Sequence, residues 1–165
     1  MRKLNLSHTR LNIDAIATEL KNSCPNLERL NLECCTLTPQ SIDALADCKN
    51  LREVDFSFCE LIGRIKNGGI FVKLFSSCQY LETINLKCFK SLTKRDNETL
   101  TLCKNLKSLN LSCVNSVTPD ICSQLFEKCP KLNKLDLSSC KNITKEMIDK
   151  WNKKIYNVIV FTNDF

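Results

Sequence analysis

Apolar residues recur along this chain on two periods. In "LERLNL" (27–32), Leu30 and Leu32 alternate with Arg29, Asn31 and the following Glu33, the period-two pattern of a strand buried on one face. In "TKEMIDKW" (144–151), Met147, Ile148 and Trp151 share one face of a helix that Thr144 caps. The strand segment returns as "LREVDF", "LETINL", "LKSLNL" and "LNKLDL", its first leucines separated by 24, 30, 25 and 26 residues. "MRKLNL" opens a further unit at Met1, and "IYNVIV" a last one at Ile155. The pattern predicts strands near 3–7, 29–33, 53–57, 83–87, 108–112, 134–138 and 157–161, each but the last followed by a turn and a helix. "TPQSIDAL" and "TPDICSQLF" pair an N-cap threonine with proline at the first helical position, where its missing N–H costs nothing. "TKRDNETLTLC" is the weakest helix, because Asn97 falls where other units place an apolar residue. One unit cannot bury its own apolar face, but several stacked side by side can. The expectation is a single α/β domain over residues 1–165, built from about six to seven repeats.

The twelve cysteines change this picture less than their number suggests. Residues 1–12 lack the apolar stretch of a signal peptide and no run of about 18 apolar residues exists. The expected compartment is therefore reducing, cytoplasmic and/or nuclear, where thiols stay free. No two cysteines stand three apart and His8 is the only histidine, so the spacing of a zinc site is missing and no metal or cofactor is expected. Cys24, Cys48, Cys78, Cys103 and Cys129 each precede a strand-opening leucine by three residues; Cys35, Cys59 and Cys140 follow a strand. Both sets are read as small side chains turned into the interior. Phe89, Val114 and Thr9 occupy the second position in the other units, with Cys88 and Cys113 one residue early, so those turns are expected to differ in shape.

Residues 129–144, "CPKLNKLDLSSCKNIT", resemble the cysteine-containing subclass of leucine-rich repeats, C-x-x-L-x-x-L-x-L-x-x-C-x-x-I-T. The resemblance covers essentially the whole chain and extends to the repeat regions of F-box/leucine-rich-repeat proteins and of the antagonist-of-mitotic-exit-network family. It implies a curved right-handed βα superhelix, the parallel sheet on the concave face and helices on the convex face. It also implies protein–protein recognition, as the substrate-recognition part of an SCF-type ubiquitin ligase whose subunits would be partners. The alternative is a stand-alone scaffold or assembly factor. An F-box normally stands ahead of such repeats and here they begin at Met1, so the chain is read as either a fragment or a stand-alone repeat protein, and its first strand is expected to be an open edge that frays, is covered by a partner or pairs with another copy.

No nucleophile–base motif surrounds His8, so no enzyme is expected. The outward positions of the strands are the candidate binding residues. One column is Lys3, Arg29, Glu53, Thr83, Ser108 and Lys134; a second is Ser7, Glu33, Ser57, Lys87, Ser112 and Ser138. Of these, Arg29, Glu33, Glu53, Lys87 and Lys134 are the candidate partner contacts. Phe58 joins them as an aromatic that is either an exposed anchor or folded back on its turn. The Asn/Asp column at 5, 31, 55, 85, 110 and 136 is read as a feature of the repeat. "GRIKNGG" (63–69) carries all three glycines and is read as a protruding insertion, with partner contact the alternative. Residues 1–82 hold ten Lys/Arg and ten Asp/Glu, whereas residues 83–165 hold fourteen and eight, so the whole +6 lies in the second half. That excess suits an acidic protein, a phosphorylated motif or nucleic acid, and the plainer reading is a solvated lysine-rich surface. Aromatics interleaved for base stacking are missing, and nucleic acid is not an expected partner.

Overall fold

The computed structural model describes residues 1–64, 68–154 and 158–161. Seven three-residue strands form one parallel sheet: β1 (Lys3–Asn5), β2 (Arg29–Asn31), β4 (Glu53–Asp55), β6 (Thr83–Asn85), β7 (Ser108–Asn110), β8 (Lys134–Asp136) and β9 (Ile159–Phe161). They lie in that order and are shorter than the five-residue segments that alternation predicts. Six helices cross between them: α1 (Ile13–Ser23), α2 (Pro39–Leu45), α3 (Val72–Ser77), α4 (Lys94–Leu100), α5 (Pro119–Lys128) and α6 (Lys145–Lys154). A small parallel pair, β3 (Thr36–Leu37) and β5 (Glu60–Leu61), sits beside the turns that follow β2 and β4. Among the described residues no helix is long and apolar enough to cross a membrane. Residues 155–157 of the last predicted unit and the tail 162–165 lie outside the described residues, as do residues 65–67 of the insertion.

Register is unshifted from end to end. Leu4, Leu30, Val54, Ile84, Leu109, Leu135 and Val160 are successive partners across the sheet. All but Leu4 are buried. The same alignment places Leu32, Phe56, Leu86, Leu111 and Leu137 in the core. Removing one such side chain opens a cavity between two repeats and costs about 2–5 kcal/mol. Thr38 and Thr118 cap α2 and α5 with proline in the first turn, as the sequence predicts. Helix α4 forms despite Asn97, because Thr93 and Asp96 close a reciprocal capping box.

Asp96 does more than cap. It is fully buried, and its carboxylate accepts from the Phe71 N–H (2.7 Å) and from the Thr93 N–H (3.0 Å) and hydroxyl (2.6 Å). The same Thr93 hydroxyl lies 2.8 Å from the Gly68 carbonyl, so its one proton is shared between that oxygen and Asp96. The described end of the glycine-bearing insertion is thereby fastened to α4. Phe71 is driven inward, where it meets Phe56, Phe75 and Phe89 at centroid distances of 5.1 to 5.2 Å. Phe89, at the cysteine position of the following repeat, closes this aromatic cluster.

The turn after each of the first six strands of the seven-stranded sheet has one shape. His8, Cys34, Phe58, Cys88, Cys113 and Ser139 all adopt φ between 55 and 61°, a left-handed conformation that non-glycine residues seldom take. The turns at Cys88 and Cys113, expected to differ, do not. The Asn/Asp column explains the uniformity: the Oδ1 of Asn5, Asn31, Asp55, Asn85, Asn110 and Asp136 each accepts the N–H two residues on, at 2.8 to 3.1 Å. The residue in the left-handed position then donates its own N–H to the next repeat, as from Cys34 to the Ser57 carbonyl at 2.9 Å. With backbone groups satisfied this way, the side chain at that position is free to vary.

Nine cysteines are buried and none is bonded to another. They are more than apolar filler. The thiols of Cys35, Cys59 and Cys140 donate to the carbonyls of Leu6, Leu32 and Leu111 in the preceding repeat, at 3.1, 2.8 and 3.1 Å. At the helix ends, Cys78 points at the Cys48 carbonyl at 3.5 Å. Burial pushes the thiols of Cys59 and Cys122 up to about 12, and those of Cys78 and Cys140 to about 11. In the unfolded chain the same groups ionise near about pH 8.5. Below that pH both states hold the proton; above it the unfolded state loses protons the folded state keeps, so stability falls as pH rises. Urea midpoints should decline between about pH 8.5 and 10, and Cys59→Ala should flatten that slope while lowering stability at pH 7. A wild-type midpoint constant over this window would rule out the buried neutral thiols.

Candidate functional site

Outward residues of the strands line a groove of about 560 Å³ across the sheet face. Its walls are Lys3 and Asn5 on β1, Arg29 and Asn31 on β2, Glu53 and Asp55 on β4, Thr83 and Asn85 on β6, and Ser108 and Asn110 on β7. Strand alternation sends Leu4, Leu30 and their partners inward, so positions one residue to either side must face this groove. The first column read from the sequence is thus present. The second is corrected. Ser57, Ser112 and Ser138 are buried, because the strands end two residues before them and the chain has begun to turn. Ser57 and Ser112 direct their hydroxyls to Asp55 and Asn110 at 2.5 Å. The groove's second column is instead the Asn/Asp ladder.

The candidate contacts separate into three places. Arg29 and Glu53 meet on the groove floor, with Nε 3.0 Å from Oε1 and both side chains about half exposed. Glu33, Phe58 and Lys87 stand on the turns above it. Phe58 is 46% exposed, and the Lys87 ammonium lies 5.4 Å from its ring centroid, a cation–π contact that holds the ring at the surface. Of the two readings of Phe58, the exposed one fits. Lys134 stands on β8 beside Ser108, at the far end of the first column.

Two features escaped the sequence reading. Ile159 and Phe161 continue the two columns on β9, in register with Lys134 and Asp136, and are 58% and 44% exposed. Aligning "IYNVIV" from Ile155 with the earlier strands pairs Ile159 with Asp136, two residues from the observed partner Lys134, and so misses them. Below the groove, the residues just ahead of the strands alternate in sign. Arg2 meets Glu28 at 3.3 Å, while Arg52 and Lys107 converge on Glu82 at 2.7 and 2.6 Å. Lys107, then Arg52, hold the Glu82 carboxyl below the usual range. Opposite charges one repeat apart were the signal. The groove charges also cancel, Lys3 and Arg29 against Glu53 and Asp55, so the basic excess of the chain lies elsewhere.

A parallel sheet in unshifted register, with a helix returning behind each strand and leucines filling the space between, defines a leucine-rich-repeat solenoid. This chain has that fold, and within it the family profile described as "Leucine Rich repeat" matches residues 23–46 and 128–146. Among solved structures, a leucine-rich-repeat protein of Leptospira interrogans, LIC12759, superposes over 100% of this chain with a TM-score of 0.64 and 21% identity. The chain spans 37% of that protein's length. TLR13 in its ssRNA13 complex aligns over 87% of this chain and 23% of its own, with a TM-score of 0.49 and 19% identity. The Drosophila Toll–Spätzle structure aligns over 81% and 16%, at 0.49 and 21%.

The groove side chains and the turn ladder carry different loads. Arg29→Ala removes a half-exposed ion pair and should cost no more than about 1 kcal/mol. Asp55→Ala strips the acceptor from the buried Ser57 N–H and from Asn85, whose Nδ2 donates at 2.8 Å, and should cost about 1–3 kcal/mol. Urea denaturation of the two variants checks the order. A larger loss from Arg29→Ala would place structural weight on the groove floor.

Proposed function

We propose that this chain is a protein-recognition module that receives its partner in the groove across the sheet. The observation that carries this reading is the groove itself. Five strands present side chains that the fold does not need for its core, with opposite charges paired on the floor and apolar Ile159 and Phe161 exposed further along the same sheet. A phosphate backbone calls for a net positive surface, and this floor has none; mixed charge with aromatic and arginine anchors suits a protein. Phe58 and Lys87 above the floor, and Lys134 along it, extend the contact area. The edge of β1, bonded to β2 alone among the described residues, offers a place where a partner or another copy can add a strand.

The finer reading is substrate capture for an SCF-type ubiquitin ligase in the cytoplasm or nucleus. What supports it is the likeness of the cysteine-containing repeats to those of F-box/leucine-rich-repeat proteins. A scaffold role is the alternative, and the two differ in complex lifetime. Affinity purification from native cells followed by mass spectrometry separates them. Cullin and adaptor subunits with sub-stoichiometric clients support the ligase reading; one constant stoichiometric complex supports the scaffold. Charge reversal at Arg29 and Glu53, or Phe58→Ala, should weaken capture of the recovered partner about tenfold or more. Lys128→Glu on α5 should leave it unchanged. The opposite result would move the binding surface to the helices.

A further inference from the structure

We propose that His8, Glu33 and Cys34 form a three-ligand site for a divalent cation of the zinc class, joining the first repeat to the second. The sequence expectation of no metal site rested on ligand spacing along the chain. Here the ligands come from two repeats. His8 and Cys34 occupy the same left-handed turn position, 26 residues apart. The unshifted register sets those turns side by side, with the His8 N–H on the Glu33 carbonyl at 2.8 Å.

The side-chain donors follow the backbone. The imidazole nitrogen, the carboxylate oxygen and the thiol sulfur all lie within 4.8 Å of one another, and His8 Nε2 is 3.9 Å from Glu33 Oε2. Atoms that share a tetrahedral zinc at about 2.0–2.3 Å stand about 3.3–3.8 Å apart. Small rotations of these surface side chains close the difference.

The donor set selects the metal. Nitrogen, sulfur and one carboxylate oxygen are the ligands of zinc and cobalt, whereas magnesium and calcium demand oxygen shells. Glu33 sets a carboxylate beside the imidazole and the thiol, and Arg10 borders the same hollow with Thr9, Leu11 and Thr36. Three protein ligands leave a fourth position open on the solvent side, where water or a partner's side chain completes the shell. Bound there, the ion ties the edge strand β1 to β2.

The test uses the reduced full chain with zinc and cobalt chloride alone. Calorimetry should show one zinc equivalent, and cobalt should give a thiolate charge-transfer band. Cys34→Ser should abolish the band, and His8→Ala and Glu33→Gln should each weaken binding about tenfold or more. All three positions lie at the surface, and unchanged circular dichroism verifies folding. Cys88→Ser combined with Cys113→Ser, which removes the other partly exposed thiols, should bind zinc as the wild type does. Zinc should also slow hydrogen exchange at Lys3–Asn5, and should not do so in Cys34→Ser. Failure to bind one equivalent, a cobalt complex without the sulfur band, or affinity unaltered in His8→Ala and Cys34→Ser overturns the proposal. So does loss of binding in the Cys88/Cys113 variant.

Discussion

Each strand–helix unit leaves one apolar face bare, and only a neighbouring unit in unshifted register covers it. Leu30 is buried between Leu4 and Val54, Val54 between Leu30 and Ile84, and so on to Val160. A slip of one residue would turn Arg29 or Asn31 inward and strand a charge or an amide in the core. Register fixed by burial fixes everything on the other face as well. The groove columns are straight because the leucine columns are straight. The same constraint makes each strand end at the same residue, so every repeat must turn there, and the Asn/Asp side chain that accepts the N–H two residues on is how it turns.

Cysteine suits the positions just beyond that turn because it joins two properties that serine and valine hold singly, although Val114 fills the same position in another repeat. The side chain enters an apolar space and can also donate to a carbonyl of the preceding repeat, as Cys59 does to Leu32 at 2.8 Å, a carbonyl that already accepts the Cys35 N–H. A thiol is a weak donor that loses little on leaving water, and its long C–S bond reaches across the repeat spacing. Serine would carry a stronger but shorter donor with a larger desolvation cost, and valine would leave the carbonyl without this donor. In the repeat that follows the insertion, Phe89 replaces cysteine and joins the aromatic cluster around Phe71.

Much of this was legible in the sequence, because a repeat reports its own alignment. The strands, the threonine-capped helices and the inward cysteines follow from spacing and period. The structure departs where an outcome depends on contacts between repeats. Strand alternation alone cannot say that β4 stops at Asp55, so Ser57 reads as a surface residue when it is buried. Nothing local announces that Asp96 holds Phe71 across 25 residues, or that His8 and Cys34 meet. The turn position that carries Phe58, His8 and Cys34 reads as irregular by residue type, yet its conformation is constant. Backbone hydrogen bonds set that conformation, and the side chain reports it poorly.

The distribution of charge then divides the work of recognition. The net charge of +6 arises from the second half of the chain, while the groove walls balance Lys3 and Arg29 against Glu53 and Asp55. Long-range attraction follows net charge and is screened beyond about 8 Å at physiological salt; the arrangement within the groove follows individual pairs. A partner received in the proposed groove would be drawn by the lysine-rich repeats and aligned by the balanced floor, where a misplaced charge meets its like and costs several kcal/mol. Affinity would then have to come from apolar and aromatic burial, and the side chains in position to supply it are Phe58 above the groove and Ile159 and Phe161 further along the same sheet. On that reading attraction, alignment and affinity rest on three different sets of residues, none of them required by the leucine core.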